Sequence, residues 1–317
     1  MEAVLYDKRF PDALALRDVD KPVPGDGEVL VRIHAVSVNA ADYRSMKMGA
    51  IPKRKIFGSD IAGVVEELGC NARKFKPGDE VAGDISDCGL GGFAEFAAVS
   101  ERALATKPGD MSFEQAAALP MAAVTALQAL RDTGQIKQGQ KVLIVGAGGG
   151  VGTFAVQLAK HFGAEVTAVC GSGNAELMRT LGAARVIDYT RENFAVSQER
   201  YDLILAVNGG QPLSHYKRVL KPGGIAVVVG GALSQVFKTL LLGPIMSLGG
   251  RKFRLLAAKP NTKDLEFIMR LVEEGSIRAV IDRRYGLSET AEAVRYLGQG
   301  HTRGKVIINI VEEVKLT

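Results

Sequence analysis

The sequence has little of several residue types that particular protein classes require. Its 317 residues include no tryptophan, four histidines and three cysteines, namely Cys70, Cys88 and Cys170. The cysteines are odd in number, widely separated and never in a C-x-x-C pair, so neither a disulfide framework nor a thiolate zinc site is expected. This usage is typical of a reducing compartment, and we expect a cytoplasmic protein.

Segments that direct a chain to a membrane are also missing. The first residues alternate like a strand and lack the basic and apolar regions of a signal peptide. The longest uncharged stretches, residues 222–237 and 239–250, are broken by glycine, proline and polar residues and are too short to span a bilayer. We therefore expect no integral membrane contact.

The charge balance is only mildly basic. Lysine and arginine exceed aspartate and glutamate by 40 − 35 = 5, with both signs interspersed along the chain. Such a surface suits an anionic small molecule such as a nucleotide, but without a stripe of basic and aromatic residues it does not predict nucleic-acid binding. The length and the apolar content, 47% of residues, predict a globular protein of two domains.

The patterning changes character along the chain. Up to about Lys107, short β-branched runs are separated by Gly, Pro and Asp turns, which is typical of an antiparallel, barrel-like domain. From Ser112 onward helix and strand patterns alternate, and the strands are almost continuously apolar, as in Lys141–Val145. This alternation predicts an α/β region with a parallel sheet covered by helices.

A glycine-rich turn follows the first strand of the α/β region. Residues 146–152 read Gly-Ala-Gly-Gly-Gly-Val-Gly between an apolar strand and a helix. Strict G-x-G-x-x-G fails, but Ala147, Gly149 and Gly152 give the register A-x-G-x-x-G. Small residues there let the backbone approach a pyrophosphate, and the helix N-terminus favours the anion, so the turn predicts a dinucleotide site.

The second strand of this unit ends without a carboxylate, in Cys170-Gly171-Ser172-Gly173-Asn174. An acid at this point hydrogen-bonds the ribose 2′-hydroxyl of NAD and repels the 2′-phosphate of NADP. Its absence favours NADPH, with NADH left as a possibility because the turn carries no arginine either.

Segments spread over the whole chain resemble the zinc-independent quinone oxidoreductases of the medium-chain dehydrogenase/reductase superfamily, close to zeta-crystallin-like and alkenal reductases. They occur in the same order as in that family. The matching segments are residues 37–42 (SVNAAD), 57–65 (FGSDIAGVV), 76–81 (KPGDEV), 91–96 (GGFAEF), 119–126 (LPMAAVTA), 220–224 (LKPGG), 255–261 (LLAAKPN) and 303–306 (RGKV).

The resemblance implies a fold and a domain order. It implies a β-rich GroES-like catalytic domain in residues 1–120, a Rossmann domain with a doubly wound parallel sheet in residues 121–256, and a return to the catalytic domain in residues 257–317. It also implies a homodimer.

The resemblance further implies an activity: NADPH-dependent hydride transfer, without zinc, to quinones or to the β-carbon of α,β-unsaturated carbonyl compounds. Three alternatives stay open. They are a zinc-free alcohol or carbonyl reductase, an enoyl-thioester reductase, and a sensor or scaffold that binds NADPH without turnover.

The metal positions of zinc-dependent relatives are changed in this chain. Where they carry a cysteine and a histidine that bind catalytic zinc, this chain has Asn39 and Ser59, which are poor zinc ligands. Cys88 stands alone where a structural-zinc cluster would need several cysteines. We expect no metal, and an activated, conjugated acceptor needs no Lewis acid because its oxyanion is delocalised.

The resemblance also assigns site residues. It places Asn39, Asp42 and Arg44 beside the nicotinamide and the substrate carbonyl, with Asn39 donating its amide to the oxygen and Asp42 orienting its neighbours. Relatives often have Tyr or Lys in place of Arg44, so the proton donor stays open between solvent and the adjacent Tyr43. A structural turn in which Asp42 caps a helix is the alternative. The cofactor residues implied are Thr125, Gly148, Gly149, Gly150, Val151, Ser172, Asn174, Tyr189, Asn208, Gly209, Gly230 and Lys305.

Overall fold

The computed structural model describes residues 1–9, 12–207, 210–230, 241, 243, 247 and 250–311. The chain forms two compact units. The first comprises residues 1–124, 260–275 and 279–317, and the second comprises residues 125–259 and 276–278. Among the described residues, no helix has the length and apolar character needed to cross a membrane.

Fifteen strands are described. In chain order they are β1 (Glu2–Tyr6), β2 (Leu14–Asp18), β3 (Glu28–Val38), β4 (Asp60–Leu68), β5 (Glu80–Asp84), β6 (Phe96–Ser100), β7 (Leu104–Thr106), β8 (Lys141–Val145), β9 (Glu165–Cys170), β10 (Arg185–Asp188), β11 (Tyr201–Val207), β12 (Leu220–Val229), β13 (Lys252–Leu256), β14 (Ile281–Gly286) and β15 (Lys305–Asn309).

Eight α-helices are described beside them. They are α1 (Ala40–Met48), α2 (Phe113–Ala117), α3 (Pro120–Gln128), α4 (Gly150–His161), α5 (Ala175–Thr180), α6 (Leu213–Val219), α7 (Thr262–Glu273) and α8 (Thr290–Gly298). A π-helical turn, Ala129–Thr133, continues α3.

The first unit is built around β3, which pairs antiparallel with β4, β6 and β15. The sheet has seven strands, of which only β14 and β15 run parallel to each other. Val306 lies opposite Val38, and Ser37 lies opposite Asp60. The end of β3, the start of β4 and the start of β15 therefore meet at one end of the sheet, where the polar side chains described below collect.

The second unit has a fully parallel sheet in the order β10-β9-β8-β11-β12-β13. This is the order of a doubly wound dinucleotide-binding fold. The predicted α/β region and its parallel sheet are confirmed. Because the strands are parallel, the ends of β8, β9 and β10 lie at one edge, with Asp188 opposite Cys170.

Each unit has its own apolar core. In the first, alternating residues of β3 such as Val29, Val31 and Ile33 are fully buried. In the second, the strands are buried on both faces, so β8 keeps Val142, Leu143 and Ile144 out of solvent together. These cores hold in place the end of the first sheet, where β3, β4 and β15 meet, and the edge of the second sheet, where β8, β9 and β10 end.

Candidate functional site

A buried polar cluster in the first unit centres on the amide of Asn39. Its Oδ1 accepts a hydrogen bond from Lys305 Nζ at 2.6 Å, and its Nδ2 donates to Asp60 Oδ2 at 2.9 Å. A lysine can only donate and a carboxylate can only accept, so the two neighbours fix which way the amide faces. The second amide hydrogen makes only 3.4 Å contacts, to Ser59 Oγ and to the carbonyl of Ser37.

Asp60 is the most heavily bonded carboxylate of this cluster. Besides the Asn39 amide, it accepts from Ser37 Oγ at 3.1 Å and from the backbone N–H of Met121 at 3.0 Å. Lys305 Nζ lies 3.6 Å from Asp60 Oδ2. Both charged side chains are almost completely out of solvent, at 0% exposed for Asp60 and 3% for Lys305, so they are paired at low dielectric.

Asp42 ties the start of α1 to the cluster through backbone bonds. One carboxylate oxygen accepts from the N–H of Asn39 at 2.9 Å, and the other accepts from the N–H of Gly58 at 3.2 Å. The first bond caps the helix, because Asn39 is the residue before its first turn. Asp42 therefore fixes the backbone position of Asn39.

Burial perturbs every ionisable group of the cluster. It raises the pKa of Asp42 to about 6 against the lowering effect of its two backbone bonds. It also raises the pKa of Asp60 and of Asp84, which repel one another, and it lowers the pKa of Lys305 despite the nearby carboxylates. Three carboxylates thus share one ammonium, and such shifted groups are typical of functional sites.

Tyr43 and Arg44 follow Asp42 in α1, and the contacts of the Tyr43 ring lie outside the cluster. A side chain on Gly298 would collide with the Tyr43 ring, 2.5 Å from Cε2, so that ring packs against the end of α8. Lys47 Nζ lies 5.2 Å from the centre of the same ring. Arg44 is half-buried, and burial lowers the pKa of its guanidinium.

The glycine-rich turn of the second unit joins β8 to α4. Gly146 has φ +81°, and a Cβ on it would lie 2.5 Å from the carbonyl oxygen of Val207. A Cβ on Gly152 would collide with the carbonyl oxygen of Gly146. These two glycines are required for the turn itself. Gly149 differs, because a Cβ there would have its nearest neighbour 3.9 Å away and would point into open space.

Two observations in this turn fit a bound dinucleotide. Gly150 and Val151 begin α4, so their N–H groups have no carbonyl one turn earlier within the helix and remain available to an anion. A Cβ on Gly148 would collide with Asn174 Nδ2. Asn174 Oδ1 is buried and has no hydrogen-bond partner among the described residues, as expected of a group that awaits a ligand.

The ends of β9 and β10 meet beside this turn. Ser172 Oγ donates to Asp188 Oδ2 at 2.5 Å, and Asp188 Oδ1 accepts from the N–H and the hydroxyl of Thr190. These bonds lower the pKa of Asp188. Arg191 Nε lies 3.7 Å from the same carboxylate. Tyr189 is exposed, and a Cβ on Gly171 would lie 3.2 Å from its hydroxyl.

The positions of the remaining predicted residues do not by themselves indicate a binding role. Thr125 is buried in α3, and Gly230 follows β12 with φ +61°. Asn208 and Gly209 lie outside the described residues. In the part of the chain that the structure describes, no group of three or more His, Cys, Asp or Glu side chains is placed to hold a metal ion.

Sequence reasoning missed three carboxylates, those of Asp60, Asp84 and Asp188. Asp60 directly follows Ser59 in the chain, and only the pairing of β3 with β4 shows that it lies opposite Ser37. Asp188 ends the third strand rather than the second. Only the parallel pairing of β9 with β10 brings its carboxylate to Ser172, so the absence of an acid at the end of β9 did not mean the absence of an acid at that edge.

Comparisons with known proteins extend over both units. Residues 25–109 match the alcohol dehydrogenase GroES-like domain, and residues 181–308 match a family described as zinc-binding dehydrogenase. The chloroplast envelope quinone oxidoreductase homolog of Arabidopsis thaliana is 36% identical over 97% of this chain and 98% of its own length. The 2-methylene-furan-3-one reductase of Solanum lycopersicum is 34% identical over 94% of this chain and 76% of its own length.

A solved structure is similar over the same extent. The quinone oxidoreductase from Coxiella burnetii has a TM-score of 0.88 and 29% identity, and the match covers 98% of this chain and 99% of that protein. Together with the Asn39 cluster and the glycine-rich turn, these likenesses show that the chain is an oxidoreductase with a nucleotide-binding domain, and that it belongs to the quinone oxidoreductases of the medium-chain dehydrogenase/reductase family.

Proposed function

We propose that the chain is an NADPH-dependent reductase that transfers hydride, without a metal ion, to a quinone or to the β-carbon of an α,β-unsaturated ketone or aldehyde. The observation that carries the proposal is the buried Asn39 amide, held between Lys305 and Asp60. This arrangement offers a polarised N–H donor where zinc-dependent relatives carry a metal ligand, and such a donor suits a delocalised oxyanion.

The cluster would act on the acceptor through hydrogen bonds. Lys305 holds Asn39 Oδ1, which leaves one amide hydrogen in long contacts that a substrate oxygen can replace. The negative charge that develops on a quinone or enone oxygen as it accepts hydride is spread over the conjugated system. One fixed donor in a dry site is then enough to stabilise it, with effects on rate of about 10²–10³ per donor. Asp42 keeps that donor in place by capping α1.

The cofactor would be held by the second unit. Gly148, Gly149, Gly150 and Val151 suit the pyrophosphate, and Ser172, Asn174 and Tyr189 suit the adenosine ribose. When bound, NADPH supplies the hydride. Thr125, Asn208, Gly209, Gly230 and Lys305 are carried in this proposal only by the family resemblance.

NADPH is proposed over NADH because Asp188, the carboxylate beside Ser172, already accepts hydrogen bonds from the protein. Asp188 is bonded to Ser172 and Thr190, and Arg191 partly compensates its charge at 3.7 Å. The Arg191 side chain is 80% exposed and is therefore free to turn toward a 2′-phosphate. NADH would serve as a slower donor.

The reduced acceptor also needs one proton, which comes from solvent or from Tyr43. The packing of the Tyr43 ring against Gly298 favours solvent. Tyr43→Phe separates the two sources: with solvent as the donor, kcat stays within about twofold, whereas a Tyr43 donor requires a loss of about 10²-fold or more. We also propose that the protein is a cytoplasmic homodimer, for which analytical ultracentrifugation and cell fractionation are the tests.

The main experiment follows NADPH oxidation with a panel of quinones, enones and enals. We expect at least one acceptor to be reduced well above background, and Asn39→Ala to lower kcat/KM about 100-fold while leaving NADPH affinity unchanged. Asn309→Ala is the matched control, because Asn309 lies on β15 and its amide also donates to a carboxylate, that of Glu114 in α2. Binding of NADPH with no acceptor reduced would instead support a non-catalytic sensor or scaffold.

A further inference from the structure

The excess positive charge of this protein is concentrated in one short stretch. Between Tyr43 and Ser59 there are five basic residues and no acidic one. The net charge of the whole chain is also +5, so all other residues together are neutral. The basic residues in this stretch are Arg44, Lys47, Lys53, Arg54 and Lys55.

The fold brings one more cation to this stretch. The N–H of Tyr6 donates to the carbonyl of Lys55 at 2.7 Å, and Leu5 forms a bridge with Ile56. The exposed residue Lys8 follows directly after this contact. Its neighbour Asp7 adds no net charge, because it is paired with Arg9 at 2.7 Å. We call Lys8, Lys47, Lys53, Arg54 and Lys55 the basic surface; all five are exposed.

The basic surface is not neutralised by the protein itself. Elsewhere many surface cations are paired, as in Lys141 with Glu199 at 3.0 Å and Arg284 with Glu114 at 2.9 Å. Within the described part of the chain, no carboxylate lies within 4.0 Å of the basic surface. Like charges that are exposed and not paired with carboxylates attract a multivalent anionic partner.

An exposed apolar side chain lies next to these cations. Met48, the last residue of α1, is 56% exposed, and the exposed residues Gly49 and Ala50 follow it. Gly49 reverses the chain with φ +72°, and the N–H of Lys55 bonds the carbonyl of Pro52 at 2.8 Å. An exposed methionine in the same short stretch as these cations matches a lipid surface, in which phosphates meet the cations and the boundary region takes the apolar side chain.

We propose that the basic surface docks the protein on a bilayer that contains anionic lipids. Four to eight basic residues near a membrane are typical of binding to anionic headgroups, and the basic surface has five. A nucleic acid would match the charge but would leave Met48 without a role. The attraction acts over about a Debye length, so it weakens as salt is added.

Cosedimentation of the full chain with lipid vesicles tests the proposal. We expect binding to vesicles of phosphatidylcholine mixed with phosphatidylglycerol, little binding to phosphatidylcholine alone, and loss of binding as salt rises from about 0.1 to about 0.5 M. The variant Lys53→Glu/Arg54→Glu/Lys55→Glu should bind the mixed vesicles at least about tenfold more weakly. Met48→Ser should weaken binding by a smaller factor.

A matched control separates the surface from net charge. The variant Lys137→Glu/Arg218→Glu/Lys263→Glu makes the same change of charge at exposed cations elsewhere and should bind within about twofold of the native chain. Both variants should reduce a soluble acceptor as the native chain does, which keeps a failure here distinct from a failure of the proposed activity. Equal losses in the two variants, equal binding to neutral vesicles, or no binding at all would overturn the proposal.

Discussion

The two regions of this protein that carry its chemistry are built in opposite ways. In the first unit, the Asn39 cluster consists of charged and polar side chains that are far apart in the sequence. Asn39 and Lys305, which are hydrogen-bonded, are separated by 266 positions. In the second unit, the glycine-rich turn consists of consecutive residues that offer backbone and almost no side chain. The Asn39 cluster requires charged side chains to be buried, whereas the glycine-rich turn requires side chains to be absent.

This difference decides how each region responds to change. A buried ion pair is strongly destabilised when one partner is removed, because the other is left charged and desolvated. The glycine-rich turn tolerates an added side-chain atom unless that atom clashes with the protein or with the ligand. Substitutions in the cluster should therefore affect stability first, and substitutions at Gly149 should affect binding alone.

The largest expected effect comes from removing the single cation of the cluster. Lys305→Met leaves Asp60 buried without its ammonium and should lower the free energy of unfolding by about 3–5 kcal/mol, measured by urea denaturation. The double variant Lys305→Met/Asp60→Asn should recover part of this loss. A single variant as stable as the native chain would show that the pair is not held as an ion pair.

The next effect concerns the pH dependence of stability. Burial raises the pKa of Asp42 from 3.8 to about 6, so the folded state binds its proton more tightly than the unfolded state does. The stabilisation this gives is complete below pH 3.8 and is lost as pH rises through about 6. Between pH 4 and pH 7 the loss is about 2 kcal/mol.

Asp42→Asn checks this prediction. Its free energy of unfolding relative to the native chain should rise by that amount between pH 4 and pH 7, whatever the constant cost of replacing the hydrogen bonds to Asn39 and Gly58. A difference between the two proteins that stays constant with pH would rule out the perturbed carboxyl.

A smaller effect distinguishes a cofactor cradle from a turn needed only for folding. Gly149→Ala has no close protein neighbour to meet, with the nearest atom 3.9 Å away, so the unfolding free energy should change by less than about 0.5 kcal/mol. If the pyrophosphate lies on this backbone, NADPH affinity should fall about tenfold, as measured by fluorescence titration. Gly152→Ala is the contrasting variant, because its Cβ collides with Gly146 and should destabilise the fold. Unchanged affinity in Gly149→Ala would place the cofactor elsewhere.

The smallest expected effect is on the choice of cofactor. Asp188→Asn removes a negative charge near the proposed 2′-phosphate position and should raise the ratio of kcat/KM for NADPH over NADH by about fivefold. Asp202→Asn is a control in the same unit, because Asp202 lies at the opposite end of the sheet strands. An unchanged ratio would mean that Asp188 only organises the turn with Ser172 and Thr190.

The sequence was informative where structure depends on local pattern. The strand predicted at Lys141–Val145 has those bounds in the structure, and the helix predicted after the glycine-rich turn is α4. Tight turns and apolar strands are specified by adjacent residues, so no knowledge of pairing was needed. For the same reason, the small residues at Gly149 and Gly152 could be assigned before their surroundings were known.

The sequence was less informative where function depends on strand pairing. The sequence does not predict that Lys305 meets Asn39 and Asp60, because only the pairing of β15 with β3 and of β3 with β4 brings these residues together. Asp188 meets Ser172 only because β9 and β10 are parallel and in register. A register shift of one residue would move the side chain of Asp60 or of Asp188 to the other face of its sheet. No short sequence motif encodes strand register to a single residue.

The orientation of Asn39 has a consequence for the strength of its remaining N–H. The amide oxygen accepts from an ammonium and the amide nitrogen donates to a carboxylate, so both ends of the amide dipole are polarised in the same sense. Cooperative polarisation strengthens each hydrogen bond in such a chain. The direction of the Asn39 amide dipole is therefore fixed by Lys305 and Asp60, and it cannot reverse while both side chains remain charged. The remaining N–H of Asn39 is a stronger hydrogen-bond donor than that of an isolated amide.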